Sequence, residues 1–211
     1  MPSPIIPAAE ALVRLRDGNA RFVANVRSVD ALASLSRRID PATQQAPFAI
    51  VLGCADSRAP AETIFDQGLG DLFVIRVAGN IVAPSQIGSV EFAAERFGTQ
   101  LVVVMGHSHC GAISATVDSM QPSDRPAASR NLLSITDRIA PAVSPLMQTE
   151  LVKNRPALLR AATRANVSAS ASHLRHGSRL LEELILNRGL IVVGAEYDLE
   201  TGVVDFFDGV L

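Results

Sequence analysis

Two short clusters of polar residues contain both cysteines of the chain, and they are the strongest candidates for chemistry. In the first, Cys54 is followed by Asp56 and Arg58; in the second, His107 precedes Cys110. Two thiolates, an imidazole and a carboxylate form a donor set that suits tetrahedral Zn²⁺, whereas Mg²⁺ or Ca²⁺ would match it poorly. Because charged groups gathered at buried positions are generally paired or metal-bound, the sequence predicts one zinc ion per chain.

Each cluster directly follows an apolar run of the kind that forms buried parallel strands. These runs are 48–52, 72–75, 101–105 and 190–193. A turn over 198–202 and the apolar segment 203–207 predict a fifth, antiparallel edge strand. Since sites in open parallel sheets form at the carboxyl ends of strands, we expect the two clusters to meet at one edge of the sheet.

Apolar residues at helical spacing occupy much of the chain around these runs. The predicted helices are 8–27, 86–97, 111–118 and 156–188, with a break in the last near 176–177. The segment 28–46 indicates a connecting arm and 119–130 a surface loop. This alternation predicts one α/β domain over 1–211, with a mostly parallel sheet (four parallel strands plus an antiparallel edge strand) flanked by helices. A helical arm at 8–40 would precede an α/β core at 46–211.

The composition excludes several classes of protein. With 48% hydrophobic and 19% charged residues over 211 positions, a buried core is expected and extended disorder is not. A net charge of -2, with eight Phe, one Tyr and no Trp, argues against nucleic acid or an anionic membrane surface as a partner. The sequence has no run of about 18 apolar residues and shows no secretory pattern, so we expect no membrane span, a cytoplasmic location, and thiols rather than a disulfide.

The two clusters resemble the signature motifs of the β-class carbonic anhydrases. The similarity covers about residues 8–211, and the matching segments are 54–58, 65–68, 73–76, 78–80, 88–92, 107–111 and 192–198. The resemblance implies that Cys54, His107 and Cys110 are the zinc ligands and that Asp56 and Arg58 form a catalytic dyad. It also implies a homodimer whose N-terminal helix wraps the partner, often paired into a tetramer or a larger assembly.

The resemblance further implies a pocket for carbon dioxide and bicarbonate. Gln45 lies nine residues before Cys54, where plant-type members place a substrate-binding glutamine. The residues that match the apolar wall are Phe73, Ala78 and Phe92. Plant-type members have Val and Tyr at the last two of these positions, so this chain lacks that hydroxyl. The amide of Gly111, at the start of a predicted helix, could hold a bicarbonate oxygen.

The implied reaction is the reversible hydration of carbon dioxide to bicarbonate and a proton by a zinc-bound hydroxide. Zinc with neutral ligands lowers the pKa of its bound water to about 7, and two thiolate ligands work against that lowering, so the expected pKa lies above this value. Asp56, which can only accept a hydrogen bond when ionised, would orient the hydroxide, and Arg58 would hold Asp56 in place. In some β-class members the aspartate binds zinc itself at lower pH, so Asp56 is an alternative fourth ligand in a closed state. Members with a dedicated bicarbonate pocket have Trp where this chain has Val51. Gln45 and Val51 together therefore favour the open state, in which water rather than Asp56 is bound to the zinc.

Two other functions fit parts of the pattern. A hydrolase of CS₂ or COS could share the fold and the metal, with a narrower and more apolar access tunnel. A non-catalytic zinc-binding protein would be expected to lose Asp56 or Arg58, and this chain keeps both.

Overall fold

The computed structural model describes residues 5–28, 45–121 and 129–210. At its centre lies a five-stranded sheet in the order β2-β1-β3-β4-β5. The strands are β1 (Ala49–Gly53), β2 (Leu72–Arg76), β3 (Leu101–His107), β4 (Ile191–Tyr197) and β5 (Val204–Asp208). The first four pair in parallel and β5 runs antiparallel to β4, which confirms the predicted sheet.

Helices cover both faces of this sheet. The α-helices are α1 (Ala8–Val23), α2 (Ala61–Ile64), α3 (Pro84–Phe97), α4 (Gly111–Ser119), α5 (Arg130–Val143), α6 (Arg155–His176) and α7 (Arg179–Arg188). Short 3-10 helices span Ala78–Asn80, Ser144–Gln148 and Glu150–Lys153. Within the ranges given above, no helix is both long and apolar enough to cross a membrane.

Strands β1 and β3 are buried along their whole length and β4 along most of it, which explains why their sequences lack polar alternation, whereas β2 and β5 at the two edges of the sheet are partly exposed. Successive residues of β1 point to opposite layers. Val51 packs in the apolar cluster that includes Leu15 of α1. Leu52 packs in the opposite cluster, with Leu174 of α6 and Leu181 of α7.

The predicted break near 176–177 is present, and its cause is local. Ser178 precedes α7, and its side-chain oxygen accepts a hydrogen bond from the Leu181 amide at 3.2 Å. Such a cap satisfies one of the free amides at a helix start, so a new helix begins there. At the other end of α7, Gly189 adopts a left-handed conformation with φ of 70°, which ends the helix.

The structure differs from the sequence predictions in several bounds. Helix α1 ends at Val23 rather than at residue 27. Residues 29–44, which make up most of the connecting arm predicted at 28–46, lie outside the described residues. The predicted loop at 119–130 is shorter, because Ser119 belongs to α4 and Arg130 begins α5; residues 122–128 lie outside the described residues. Helix α5 was not predicted, since its internal Pro141 indicates a helix break.

Candidate metal centre

The sheet brings the two polar clusters together at the carboxyl ends of β1 and β3. Gly53, the last residue of β1, is paired with Met105 of β3, so that Cys54 emerges beside the end of β3. His107 is the last residue of β3, and Cys110 is the residue that precedes helix α4. The two sulfur atoms and a ring nitrogen of His107 lie within 4.8 Å of one another, and all three side chains are buried. The predicted convergence is therefore present.

The hydrogen bonds of His107 leave one ring nitrogen free to bind a metal. Its Nδ1 lies 2.8 Å from the carbonyl oxygen of Ser108, an acceptor, so Nδ1 carries the proton and donates it. Its Nε2 is buried and has no hydrogen-bond partner among the described residues. A buried nitrogen lone pair is costly unless something satisfies it. A histidine whose second nitrogen is anchored to a carbonyl is the usual arrangement of a metal ligand, so this site fits Zn²⁺.

The two thiols interact directly. A hydrogen bond from Cys110 outweighs the effect of burial and lowers the pKa of Cys54 well below its ordinary value. As the donor in that bond, and because it is buried, Cys110 has its pKa raised above the ordinary value. The backbone amide of Gly79 also donates to the Cys54 sulfur at 3.3 Å. The pair is thus prepared to hold at least one thiolate, the form in which cysteine binds metals.

Asp56 and Arg58 form a two-point ion pair beside this group. The Arg58 guanidinium donates from Nε to Oδ1 of Asp56 at 2.9 Å and from Nη2 to Oδ2 at 2.8 Å. These hydrogen bonds, helped by the Arg58 amide and the nearby His107, hold the pKa of Asp56 far below its usual range despite partial burial. Oδ2 of Asp56 also lies 3.9 Å from Nε2 of His107. An ionised carboxylate is therefore fixed at the edge of the candidate metal centre.

Two of the predicted substrate-binding residues lie at this same edge. Ala78 follows β2 and is the neighbour of Gly79, whose amide contacts Cys54. Gly111 is the first residue of α4, directly after Cys110, and it is exposed. Space is open around Gly111, since an added Cβ would meet nothing within 4 Å.

The other three predicted substrate-binding residues do not approach the metal centre of their own chain. Gln45 precedes β1 and so lies beyond the opposite end of that strand from Cys54. Phe73 of β2 and Phe92 of α3 pack against each other, with ring centres 6.2 Å apart, on the side of the sheet that α3 covers. Phe92 is 54% exposed. These residues can serve a site only if a second copy of the chain contributes them.

Sequence reasoning missed the residues that hold the loop 54–56 and its neighbour at 78–80. Arg76 donates to the carbonyl oxygens of Cys54 and Asp56. Asn166 of α6 donates through Nδ2 to the Gly79 carbonyl at 2.8 Å. The position of Arg76 at the end of an apolar run was a usable signal, because the two predicted clusters have the same position. Asn166 carries no such signal in a helical segment, and only the fold brings it to the site.

Gly79 cannot be replaced without disturbing this arrangement. Its φ is 70°, a left-handed conformation that residues with a side chain rarely adopt. An added Cβ would lie 2.8 Å from Cδ1 of Ile139 in α5. The unpredicted helix α5 therefore packs directly over the turn that donates to Cys54.

Comparisons with known proteins agree with this geometry. The family model described as carbonic anhydrase matches residues 49–204, which include both polar clusters. Carbonic anhydrase 2 of Mycobacterium tuberculosis is 36% identical over 190 residues, covering 89% of this chain and 87% of the relative. The carbonic anhydrase of Pseudomonas aeruginosa is 37% identical over 177 residues, covering 80% and 76%.

Solved structures show the same fold. In the crystal structures of two tetrameric β-carbonic anhydrases from Sordaria macrospora, a matching chain superposes with a TM-score of 0.72 and 26% identity. The superposition covers 83% of this chain and 89% of that one. The matched sequence, the shared fold and the convergence of the two clusters lead to one conclusion: the chain belongs to the carbonic anhydrase family, in its β class, and is a carbonate dehydratase.

Proposed function

We propose that this enzyme hydrates carbon dioxide reversibly at the edge of the sheet where Cys54, His107 and Cys110 converge, and that these three side chains hold one Zn²⁺ per chain. The observation that supports this proposal most directly is the buried Nε2 of His107, which has no hydrogen-bond partner among the described residues and lies beside the thiols of Cys54 and Cys110. When bound, zinc would supply the nucleophile by lowering the pKa of a water molecule, though to a value above the roughly 7 reached with neutral ligands, because two thiolates reduce the effective charge on the metal.

Asp56 would orient that nucleophile. Its carboxylate is ionised at neutral pH, with a pKa that Arg58 holds far below the usual range, and an ionised carboxylate accepts hydrogen bonds but cannot donate them. The proton of the attacking hydroxyl group would therefore point to Asp56, and its lone pair would point to carbon. Arg58 engages both carboxylate oxygens, so it would favour a state in which Asp56 stays free of the zinc over one in which Asp56 binds it.

The substrate and the product need different surroundings. Carbon dioxide has no net charge and would bind against an apolar wall of Phe73, Ala78 and Phe92. Bicarbonate is an anion, and the exposed amide of Gly111 at the start of α4 and the side chain of Gln45 would hold its oxygens. Because Gln45, Phe73 and Phe92 lie far from the metal centre of their own chain, they would serve the centre of a second copy.

The proposed assembly is therefore a homodimer at least, with a tetramer as the next step. Strand β2 forms one edge of the sheet and carries Phe73, and the exposed Phe92 lies beside it. An exposed aromatic group beside a sheet edge is typical of a surface that a partner covers. The related enzymes of Sordaria macrospora are tetrameric. We also propose that the enzyme is located in the cytoplasm, as the sequence predicts.

The function of Asp56 can be tested with the variant Asp56→Asn. We expect its kcat for carbon dioxide hydration to fall about 100-fold, the cost of losing a charge-stabilising acceptor, while zinc content stays at one per chain. Stopped-flow hydration and metal analysis on the same samples measure both quantities. Glu150→Gln, which changes an exposed carboxylate paired with Lys153, is the matched control. Unchanged kcat in Asp56→Asn with zinc bound would contradict the proposed mechanism.

The shared site can be tested by complementation. A Gln45→Ala chain keeps its metal ligands, and a Cys110→Ser chain keeps its glutamine, so a mixed dimer contains one intact site. With free exchange of subunits, about half of the dimers are mixed and each mixed dimer has one intact site of two. The activity per chain should therefore rise above that of the impaired parents by about a quarter of the wild-type value. A mixture of Cys54→Ser and Cys110→Ser cannot form an intact site and is the control. If no activity is regained after exchange, the two chains do not share their sites.

A further inference from the structure

We infer that Arg76 is a positioning residue for the reaction, because its guanidinium fixes the loop that carries Cys54 and Asp56. The inference rests on the proposed function of these two residues. Arg76 is the last residue of β2, and its Nε donates to the Cys54 carbonyl oxygen at 3.0 Å. Its Nη2 donates to the Asp56 carbonyl oxygen. One side chain thus contacts the backbone of a proposed zinc ligand and that of the proposed orienting carboxylate.

The loop 54–56 lies outside regular secondary structure, so its carbonyl groups depend on such contacts. Two backbone hydrogen bonds attach it to the residue after β2: the Ala55 amide donates to the Val77 carbonyl at 3.3 Å, and the Val77 amide donates to the Gly53 carbonyl at 3.1 Å. Neither of these bonds involves Asp56. Arg76 therefore attaches the backbone of Asp56, as well as that of Cys54, to the end of β2.

Arg58 and Arg76 hold different parts of Asp56. Arg58 binds the carboxylate and Arg76 binds the main-chain carbonyl, which also accepts from the Ala59 amide at 3.0 Å. With the backbone and the side chain both held, the carboxylate has little freedom to turn toward another partner. Among the described residues, no carboxylate forms an ion pair with Arg76, so its charge is available to strengthen the two hydrogen bonds.

The shape of the side chain matters as much as its charge. Arginine presents its donors in a rigid, planar fork, whereas lysine presents one compact ammonium group. A lysine at position 76 could reach one of the two carbonyl groups with the correct charge, but it could not reproduce the fork. A misplacement of about 1 Å at a reacting group can cost roughly 100-fold in rate, so the loss of the fork should reduce kcat.

The test uses Arg76→Gln and Arg76→Lys, each loaded with Zn²⁺ for kinetics and with Co²⁺ for spectroscopy. We expect kcat for hydration to fall at least about tenfold in Arg76→Gln with little change in KM, because the loss affects orientation rather than substrate binding. The visible absorption of bound Co²⁺, including the thiolate-to-metal bands, should shift because Cys54 moves. Arg76→Lys should recover part of both effects.

Arg179→Gln, which removes an exposed arginine at the start of α7, is the control and should match the wild type. Wild-type kcat and an unchanged Co²⁺ spectrum in Arg76→Gln would overturn the inference. So would a fall in kcat that is matched by lower thermal stability with an unchanged spectrum, since that outcome shows a structural role alone. If Arg76→Gln does not fold, Arg76→Lys decides by the same two measurements. Failure of the proposed function would appear separately, as full activity of Asp56→Asn.

Discussion

At the scale of single residues, the ion pair between Asp56 and Arg58 is the contact on which the proposed mechanism depends most. The guanidinium keeps the pKa of Asp56 far below its usual range, but an ordinary aspartate, with a pKa of about 3.9, is also ionised at neutral pH. The main contribution of Arg58 at neutral pH is therefore the direction in which the carboxylate points, rather than its charge.

Arg58→Ala should consequently lower the plateau of the hydration rate by about 10- to 100-fold. It should also move the pH profile to higher pH, because the released carboxylate then competes for the fourth position on zinc and hydroxide displaces it only at higher pH. The measurement is the hydration rate from about pH 6 to 9 for the wild type, Arg58→Ala and Arg58→Lys. A profile of Arg58→Ala that superimposes on that of the wild type would show that the dyad does not govern the enzyme.

Gly79 is a second residue whose backbone geometry is directly testable. In Gly79→Ala, the left-handed φ of 70° and the close contact with Ile139 should destabilise the fold by about 1–3 kcal/mol. Zinc affinity should fall as well, because a shifted Gly79 amide no longer donates to Cys54. Urea unfolding and metal titration measure the two effects.

Gly88→Ala in helix α3 is the matched control, since an added Cβ there meets nothing within 4 Å. Its free energy of unfolding should stay the same or rise by up to about 1 kcal/mol. If Gly79→Ala behaves like Gly88→Ala in both measurements, the turn at 78–80 does not support the metal centre.

At the scale of elements, the strands and the two polar clusters could be predicted from the sequence, because both depend on local patterns. The apolar runs identified the four parallel strands, because buried parallel strands are continuously apolar, and the turn at 198–202 with the segment after it identified the antiparallel edge strand β5. The two clusters were found because each follows such a run, and the sheet register then places them side by side. Helix α5 escaped prediction because Pro141 lies within it, and its packing against Gly79 and α4 outweighs that local signal.

The supports of the site were harder to predict for a related reason. Arg76 acts on residues 20 and 22 positions earlier in the chain, and Asn166 acts on a residue 87 positions earlier. Contacts at such separations follow from how β2 and α6 pack, and spacing along the chain does not encode them. For the same reason the resemblance predicts a pocket role for Gln45 without indicating that this residue lies beyond the opposite end of β1 from Cys54.

The attachment of the edge strand β5 provides a prediction at this scale. Arg175 of α6 donates through Nη2 to the Val192 carbonyl at 2.7 Å and also to the Asp208 carboxylate. Burial raises the pKa of Asp208, but hydrogen bonds from Ser168 and Arg175 outweigh it, and the net shift is downward. A carboxylate with a lower pKa in the folded state stabilises the fold above its unfolded pKa, and this contribution is lost as pH falls through the folded pKa.

Asp208→Asn should therefore lower the free energy of unfolding by about 1–3 kcal/mol at pH 7. The difference from the wild type should start to shrink as pH falls below about 4, where the carboxylate of the unfolded chain becomes protonated, and should vanish once the pH has fallen through the lower pKa of the folded state. Urea unfolding across this pH range checks both points, with the exposed Glu150→Gln as the control. A difference that grows toward acid pH would contradict the assignment.

At the scale of the whole molecule, the proposed substrate pocket requires residues from more than one chain. Helix α1 was expected to offer apolar residues to a partner, but Leu12 and Leu15 are buried in the core of their own chain. Its Asn19 also donates to the Ile64 and Gly202 carbonyl groups, which ties the helix to α2 and to the turn before β5. Val13 and Val23 remain exposed and available to a partner. Deleting the helix would therefore damage the monomer as well as an interface.

Dilution tests the assembly without that complication. If the pocket needs residues from two chains, the specific activity per chain should fall as the protein concentration drops through the dissociation constant of the dimer. Sedimentation and hydration assays over the same concentration series measure the two quantities together. A monomer with full activity would contradict the shared site.

The central claim is that Cys54, His107 and Cys110 hold the zinc on which carbon dioxide hydration depends. The most direct test measures zinc content and stopped-flow hydration on the same preparations of wild type and Cys110→Ser. The account predicts one zinc per chain and rapid hydration in the wild type, and the loss of both together in the variant. Stoichiometric zinc at unchanged affinity in Cys110→Ser, with the wild-type hydration rate, would contradict it.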